Sequence, residues 1–292
     1  MNSRRAVALC AAVVLLLSAC ARTDGPDAAT EAAASEAARL RSEVPTTVPT
    51  SESTAPVSAP PQPAALAQNP IYRAGTLPSP ECAEPGMPPT SLRNVQAYYA
   101  EFVGCLNKAW APVIRRAGFT FTPPKLVVVL GKSPSSPCHF YDGPAYYCGD
   151  TIYLDAKADL DGYRDDPEWS LAWMALIIGH EYGHHVQALT GILEAKYERG
   201  LNLNGIDLQR EESRRLELQA ACFGGAYLGA DRASFPIDDD WLDLWDELVA
   251  STSDPKHDHG GAGNHAYWST SGLDAAGPAA CNTYAADSAL VG

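Results

Sequence analysis

The chain has 292 residues, with 21 Lys and Arg against 35 Asp and Glu, for a formal net charge of −14. So acidic a balance argues against nucleic acid or an anionic lipid surface as a partner, and it carries no information about fold. No run of roughly eighteen apolar residues occurs, so no membrane-spanning helix is expected.

The first residues read as an export signal. Arg4-Arg5 make a basic start and Ala6–Ala19 an apolar run of fourteen residues, too short to span a bilayer comfortably. The run ends in Leu17-Ser18-Ala19-Cys20, which resembles the bacterial lipobox and implies that Cys20 becomes a lipid-modified N-terminus on the outer face of the cell membrane. Loss of residues 1–19 removes two positive charges, Arg4 and Arg5, and moves the net charge from −14 to −16. Residues 20–75 are rich in Ala, Ser, Thr and Pro and poor in large apolar side chains. They cannot bury enough surface to offset their ordering entropy, so a disordered tether is expected there. Six cysteines remain beyond Cys20, an even number in an exported chain, which suggests three disulfides. Proximity in sequence favours Cys138–Cys148 and Cys82–Cys105, leaving Cys222–Cys281.

A folded domain is expected over 76–292, starting between Leu77 and Thr90. Leu92, Val95, Tyr99, Phe102, Leu106 and Trp110 recur at helical spacing from about Ser91, with Pro112 bending or ending the helix. Lys125–Leu130 reads as a buried strand, and Ala145–Cys148 and Thr151–Asp155 flank Gly149-Asp150 as a hairpin. Asp159–Glu168 reads as an acidic, solvated loop. Helices are predicted over Pro167–Thr190, Asp207–Leu228 and Asp238–Ala250, the second capped by Asp207. In that helix Glu211 and Glu212, set among arginines, read as ion pairs on a solvated face. The remainder to Gly292 reads as Gly-rich and irregular.

The chemistry concentrates in His180-Glu181-Tyr182-Gly183-His184. On a helix, residues four apart lie about 40° apart, so both imidazoles leave one face and can share a zinc ion, with Glu181 placed to hold a water. The flanking Trp169–Ile178 is almost wholly apolar, so the helix is buried and its histidines need partners. A catalytic zinc needs a third protein ligand. Glu217 has the best local case, because Ala220, Ala221, Gly224 and Gly225 follow it and let its helix approach another closely; His259 and His265 remain alternatives. His265, Tyr267 and His259 are also the candidate oxyanion donors or substrate contacts.

His180-Glu181-x-Gly183-His184-His185-Val186-Gln187 together with Glu217-Leu218-Gln219-Ala220-x-Cys222 resembles the putative neutral zinc metallopeptidase family of bacteria. Gly143-Pro144-x-Tyr146-Tyr147-Cys148, Ile152–Asp155, His259-Gly260, Trp268 and Ala280-Cys281 extend the likeness over roughly residues 90–285. The resemblance implies an α+β, zincin-like domain with a small, mostly antiparallel sheet, an active-site helix and a second ligand-bearing helix. It also implies one Zn2+ on His180, His184 and Glu217, with Glu181 as general base in cleaving a peptide or protein substrate at the cell envelope. Two positions depart from the family pattern. Its Asp four residues after the ligand Glu is Ala221 here, and an Arg of its C-terminal segment is His265. An Asp at 221 would orient a zinc-bound imidazole, so a zinc-bound but catalytically weak or inactive peptide-binding lipoprotein is the alternative.

Overall fold

The computed structural model describes residues 60–131 and 143–292. The export signal, Cys20, the tether up to residue 59 and Cys138, with its expected bond to Cys148, lie outside the described residues.

Folded structure begins earlier than the composition implies. A short helix, α1 (Ala64–Ala67), and a 3-10 turn (Pro70–Arg73) already bury Leu66, Ile71 and Tyr72. The expected boundary near residue 76 is therefore too late. Few large apolar residues occur here, but each of these three is placed inside, and hydrogen bonding completes the attachment. Asn69 donates from its side chain to Thr190 O at 3.0 Å, and Arg199 donates to the carbonyls of Pro60 and Pro61.

Helix α2 (Leu92–Arg116) starts at Ser91, whose hydroxyl accepts from Asn94 N. It continues through Pro112 instead of ending there, because Ala109, Trp110, Val113 and Ile114 on either side are buried and packing holds the local conformation. The strands β1 (Lys125–Val129), β2 (Ala145–Cys148) and β3 (Thr151–Asp155) form one sheet in the order β1-β3-β2. The β2–β3 pair is the expected hairpin, closed by Gly149 and Asp150 with φ of 55° and 62°, both in the left-handed region that a two-residue turn requires. β1 runs parallel to β3, so the sheet is mixed and not mostly antiparallel, and β1 is half-buried except at exposed Lys125 and buried Val128.

The acidic stretch expected to be a loop is helix α3 (Ala156–Asp165). Asp155 caps it by accepting from Lys157 N at 2.9 Å, and Lys157, Asp161 and Arg164 pair at helical spacing on its exposed side. Its inner side carries Asp159, 3% exposed, which accepts from the buried Tyr99 hydroxyl at 3.0 Å. α4 (Pro167–Leu189) follows, capped by Asp166 and stopped at Gly191 with φ 74°. α5 (Ile192–Gly200) is short. α6 (Ile206–Ala230) starts at Gly205 without a side-chain cap, so Asp207 does not serve as one. Its Glu212 does not sit on a solvated face: it is 3% exposed and pairs with buried Arg199 of α5 at 2.8 Å. α7 (Asp239–Ala250) lies where a helix was expected, and Asp238 caps it. The C-terminal region expected to be irregular holds α8 (Ala262–Ala275), which packs along α6. Its small and polar residues conceal the helical period, yet they permit close approach: a Cβ on Gly272 would run into Cys222 O. Disulfides Cys82–Cys105 and Cys222–Cys281 are present as expected and tie the N- and C-terminal segments to α2 and α6.

Burial pushes the Asp159 carboxyl up to about 7, against a smaller opposing pull from the Tyr99 hydroxyl. A group whose pKa is higher in the folded than in the unfolded state favours folding fully below about pH 4, and that contribution is lost as pH rises through 7. Asp159→Asn removes this titration. Thermal melts from pH 4 to 8 are expected to show the wild type losing a few kcal/mol relative to the variant across that window.

Candidate metal centre

Helix α4 meets α6 through residues without bulk. A Cβ added to Gly179 would lie 3.1 Å from Gly224 Cα, and one on Gly183 2.7 Å from Ala220 Cα. Glu217 lies one turn before Ala220 on α6, so this crossing delivers its carboxylate to the histidine face of α4. His180 Nε2 and His184 Nε2 are 3.1 Å apart, and Glu217 Oε2 is 3.2 and 3.1 Å from them. The three atoms form a nearly equilateral triangle. Ligands about 2.05 Å from a tetrahedral zinc would be about 3.3 Å from one another, so the donor set fits that ion.

The second nitrogen of each ring has been treated differently. Gln187 donates from Nε2 to Leu216 O at 2.7 Å, which turns its Oε1 toward His184 Nδ1 at 2.8 Å. His184 Nδ1 is thus the donor and Nε2 is left for the centre. Among the described residues His180 Nδ1 has no such partner, and Ala221, buried four residues beyond Glu217, offers none.

Glu181 is 4% exposed, and its Oε2 is buried without a hydrogen-bond partner. Burial, with the nearby Glu217 carboxylate adding to it and His184 opposing, pushes its pKa up to about 7. Burial pulls His184 down, but Glu217 and Glu181 outweigh it and raise it to about 9, while burial leaves His180 lowered. Glu217, opposed by both histidines, is held well below the usual carboxylate range despite its burial.

Of the three other candidates, His259 lies beside Glu217. His259 Nε2 is 3.8 Å from Glu217 Oε2, and its Nδ1 lies 2.6 Å from Asp258 Oδ1, an acceptor that leaves Nε2 as the outward nitrogen. Its pKa is raised, with burial outweighed by Glu217 and Asp258. His265 is not an oxyanion donor. Its Nδ1 faces Val249 O and Thr252 Oγ1, both at 3.2 Å, so Nδ1 carries the hydrogen and Nε2 a lone pair. Burial holds its pKa at about 4, so it stays neutral. Tyr267 packs edge-on against Trp268, and among the described residues its hydroxyl has no hydrogen bond to the triangle.

Sequence reasoning quoted Gln187 only within the motif, without a role, and missed Asp254 and Asp258. The two carboxylates shape the His259 loop: Asp254 accepts from Asp258 N and Gly260 N, each at 2.9 Å. Asp254, Asp258 and His259 could themselves group about an ion, but these backbone bonds account for Asp254 as a loop brace. Spacing alone gave no signal for Gln187; its position three residues after His184, on the same helix side, was the available clue.

The profile of the putative neutral zinc metallopeptidase family matches residues 83–284. The chain belongs to that family. It is 28% identical over 195 residues to the uncharacterized protein YpfJ of Escherichia coli K12, covering 60% of this chain and 66% of that one. The YpfJ protein of Escherichia coli O6:H1 matches to the same extent. The chain thus spans just under two thirds of the length of these curated relatives. No solved structure matches. The α+β fold is consistent with a zincin-like domain, the family's name implies zinc, and the triangle of His180, His184 and Glu217 is a group able to hold it.

The protonation pattern predicts how zinc binds. At pH 8 Glu217 and most Glu181 are ionised and His180 is neutral, whereas His184 carries a proton that must leave. Calorimetric titration in buffers of different ionisation enthalpy should show about one proton released per zinc bound at pH 8, with apparent affinity falling about tenfold for each unit of pH decrease below that.

Proposed function

We propose that this protein is a zinc-dependent endopeptidase of the bacterial cell envelope, with one zinc held by His180, His184 and Glu217. The observation that carries the reading is the equilateral ligand triangle beside a buried Glu181 oxygen without a partner. Zinc, when bound, supplies Lewis acidity that polarises a carbonyl and brings the pKa of a water toward neutrality.

The side chains perform the rest. Glu181, with a pKa near 7, is suited to take the proton of the attacking water and return it to the leaving amine. Gln187 keeps His184 in the tautomer a ligand needs. His259, backed by Asp258 and with its pKa raised by Glu217 and Asp258, is the donor for the developing oxyanion. β3 lies in the middle of the sheet, between β1 and β2, so an extended substrate has no free edge there. Among the described residues β2 is the edge nearest α4, joined to it by the Tyr147 hydroxyl, which donates to His185 Nδ1 at 3.1 Å while His185 Nε2 donates to Thr122 O. The substrate strand in this reading lies along β2. Location follows from Cys20 as a lipid anchor, with residues 20–59 as the tether to a domain that acts on a peptide or protein substrate outside the membrane.

Replacement Glu181→Gln should leave zinc stoichiometry at one and lower cleavage of a peptide library by roughly 10²–10⁴-fold. Equal cleavage by both proteins would remove Glu181 from the mechanism.

A second reading rests on His180 Nδ1. With Ala221 in place of a carboxylate, the ring lacks an orienting acceptor, and a weakly active or inactive peptide-binding lipoprotein results. Ala221→Asp should then raise zinc affinity or activity by about 10–100-fold. No activity in either form would favour the binding role.

A further inference from the structure

Between Trp173 and Ala188, helix α4 is open along one line only. Trp173, Ile177, His180, His184 and Ala188 are half-buried, and every residue between them is buried. At about 100° per residue these five fall within roughly 80° of arc, so they form one stripe with the two histidines at its centre. At the C-terminal end of the stripe Ala188 meets Leu193, Lys196 and Tyr197 of α5 around a groove of about 410 Å³. Its lining is apolar in effect. Lys196 Nζ bonds Ser213 Oγ at 3.2 Å, which turns the charge toward α6 and leaves the methylene stem for the groove. Tyr197 is 66% exposed, a large ring left in water at the groove wall.

We propose that this groove is a substrate subsite that takes one large apolar side chain, of the leucine or phenylalanine class, within two residues of the scissile bond. The inference rests on the peptidase reading above and adds its specificity. Distance supports it: Ala188 lies about 6 Å along the helix axis from His184, and an extended peptide advances about 3.3 Å per residue. Volume permits it as well, since about 410 Å³ is more than one leucine or phenylalanine side chain requires. A lipid surface is the less suitable occupant. Glu194 is among the residues that line the groove, and the whole chain carries −14.

The test uses the zinc-loaded full chain and two peptidyl hydroxamates, one with a leucine side chain next to the metal-binding group and one with glycine there. The leucine compound should bind roughly tenfold more tightly. Ala188→Leu, which fills the groove, and Tyr197→Ser, which removes a wall, should each bring that ratio toward one. Ile206→Ser, at an exposed apolar residue outside the lining, should leave the ratio as it was. Equal binding of the two compounds by the wild type, or an unchanged ratio in both groove variants, overturns the subsite while the peptidase reading stands. Failure of even the glycine compound to bind overturns the metal centre and the subsite with it. A ratio unchanged by Tyr197→Ser, together with weakened binding to phosphatidylcholine vesicles, would assign the face to lipid instead and also overturn the proposal.

Discussion

The site depends on the close crossing of α4 and α6. Glu217, Ala220, Ala221 and Gly224 follow one another at helical spacing, so the face that carries the carboxylate also carries no bulk. Gly179 and Gly183 answer it from α4, and the backbones approach until a Cβ on Gly224 would lie 2.8 Å from Gly179 C. Only such an approach lets a short glutamate side chain reach Nε2 of two histidines at once. Larger residues at these four crossing positions would force the helices apart, and an ordinary helix separation of 8–10 Å would leave the triangle open.

Within that frame the charges explain one another. A buried carboxylate is costly alone; Glu217 is kept ionised by the histidines it faces and, with Glu181, holds His184 protonated until a cation replaces that proton. Glu181 has no such partner and is pushed toward neutrality by burial. Two glutamates on adjoining helices thus take opposite roles, one anionic and suited to a metal, the other poised to exchange a proton. Gln187 links this chemistry to the fold, since its amide spans from His184 to Leu216 O and Gln219 Oε1 on α6.

The segment from residue 60 and the C-terminal segment brace the same helices. Arg199 pairs with Glu212 and holds Pro60 and Pro61, while Arg215, buried beside them, donates to Thr283 O and Ala286 O near the C-terminus. Gln219 reaches Tyr72 and Cys281 O from α6. Polar and charged residues on α6 therefore serve as internal struts that fasten residues 60–72 and the C-terminal segment around the ligand-bearing helix. Their burial is what makes the segment from 60 to 75 part of the domain.

Local chemistry in the sequence was sufficient for the strong periodic and capped elements. The helices over 92–116, 167–189, 206–230 and 239–250, the Gly149-Asp150 hairpin and the two histidines with Glu217 could be read from spacing, caps and motif. α3 and α8 could not, because their inward faces carry Asp159, His265, Ser269 and Gly272, whose burial is a property of neighbours and not of period. Nor could the sequence distinguish His259 from His265. Both are histidines near the C-terminus, but one is braced by Asp258 toward Glu217, and the other is spent as a donor to Val249 O. Which residues can bind a metal was written in their types and spacing; which of them face it was decided by the packing of α6 and α8 on α4, where burial and hydrogen-bond partners assign each nitrogen its role.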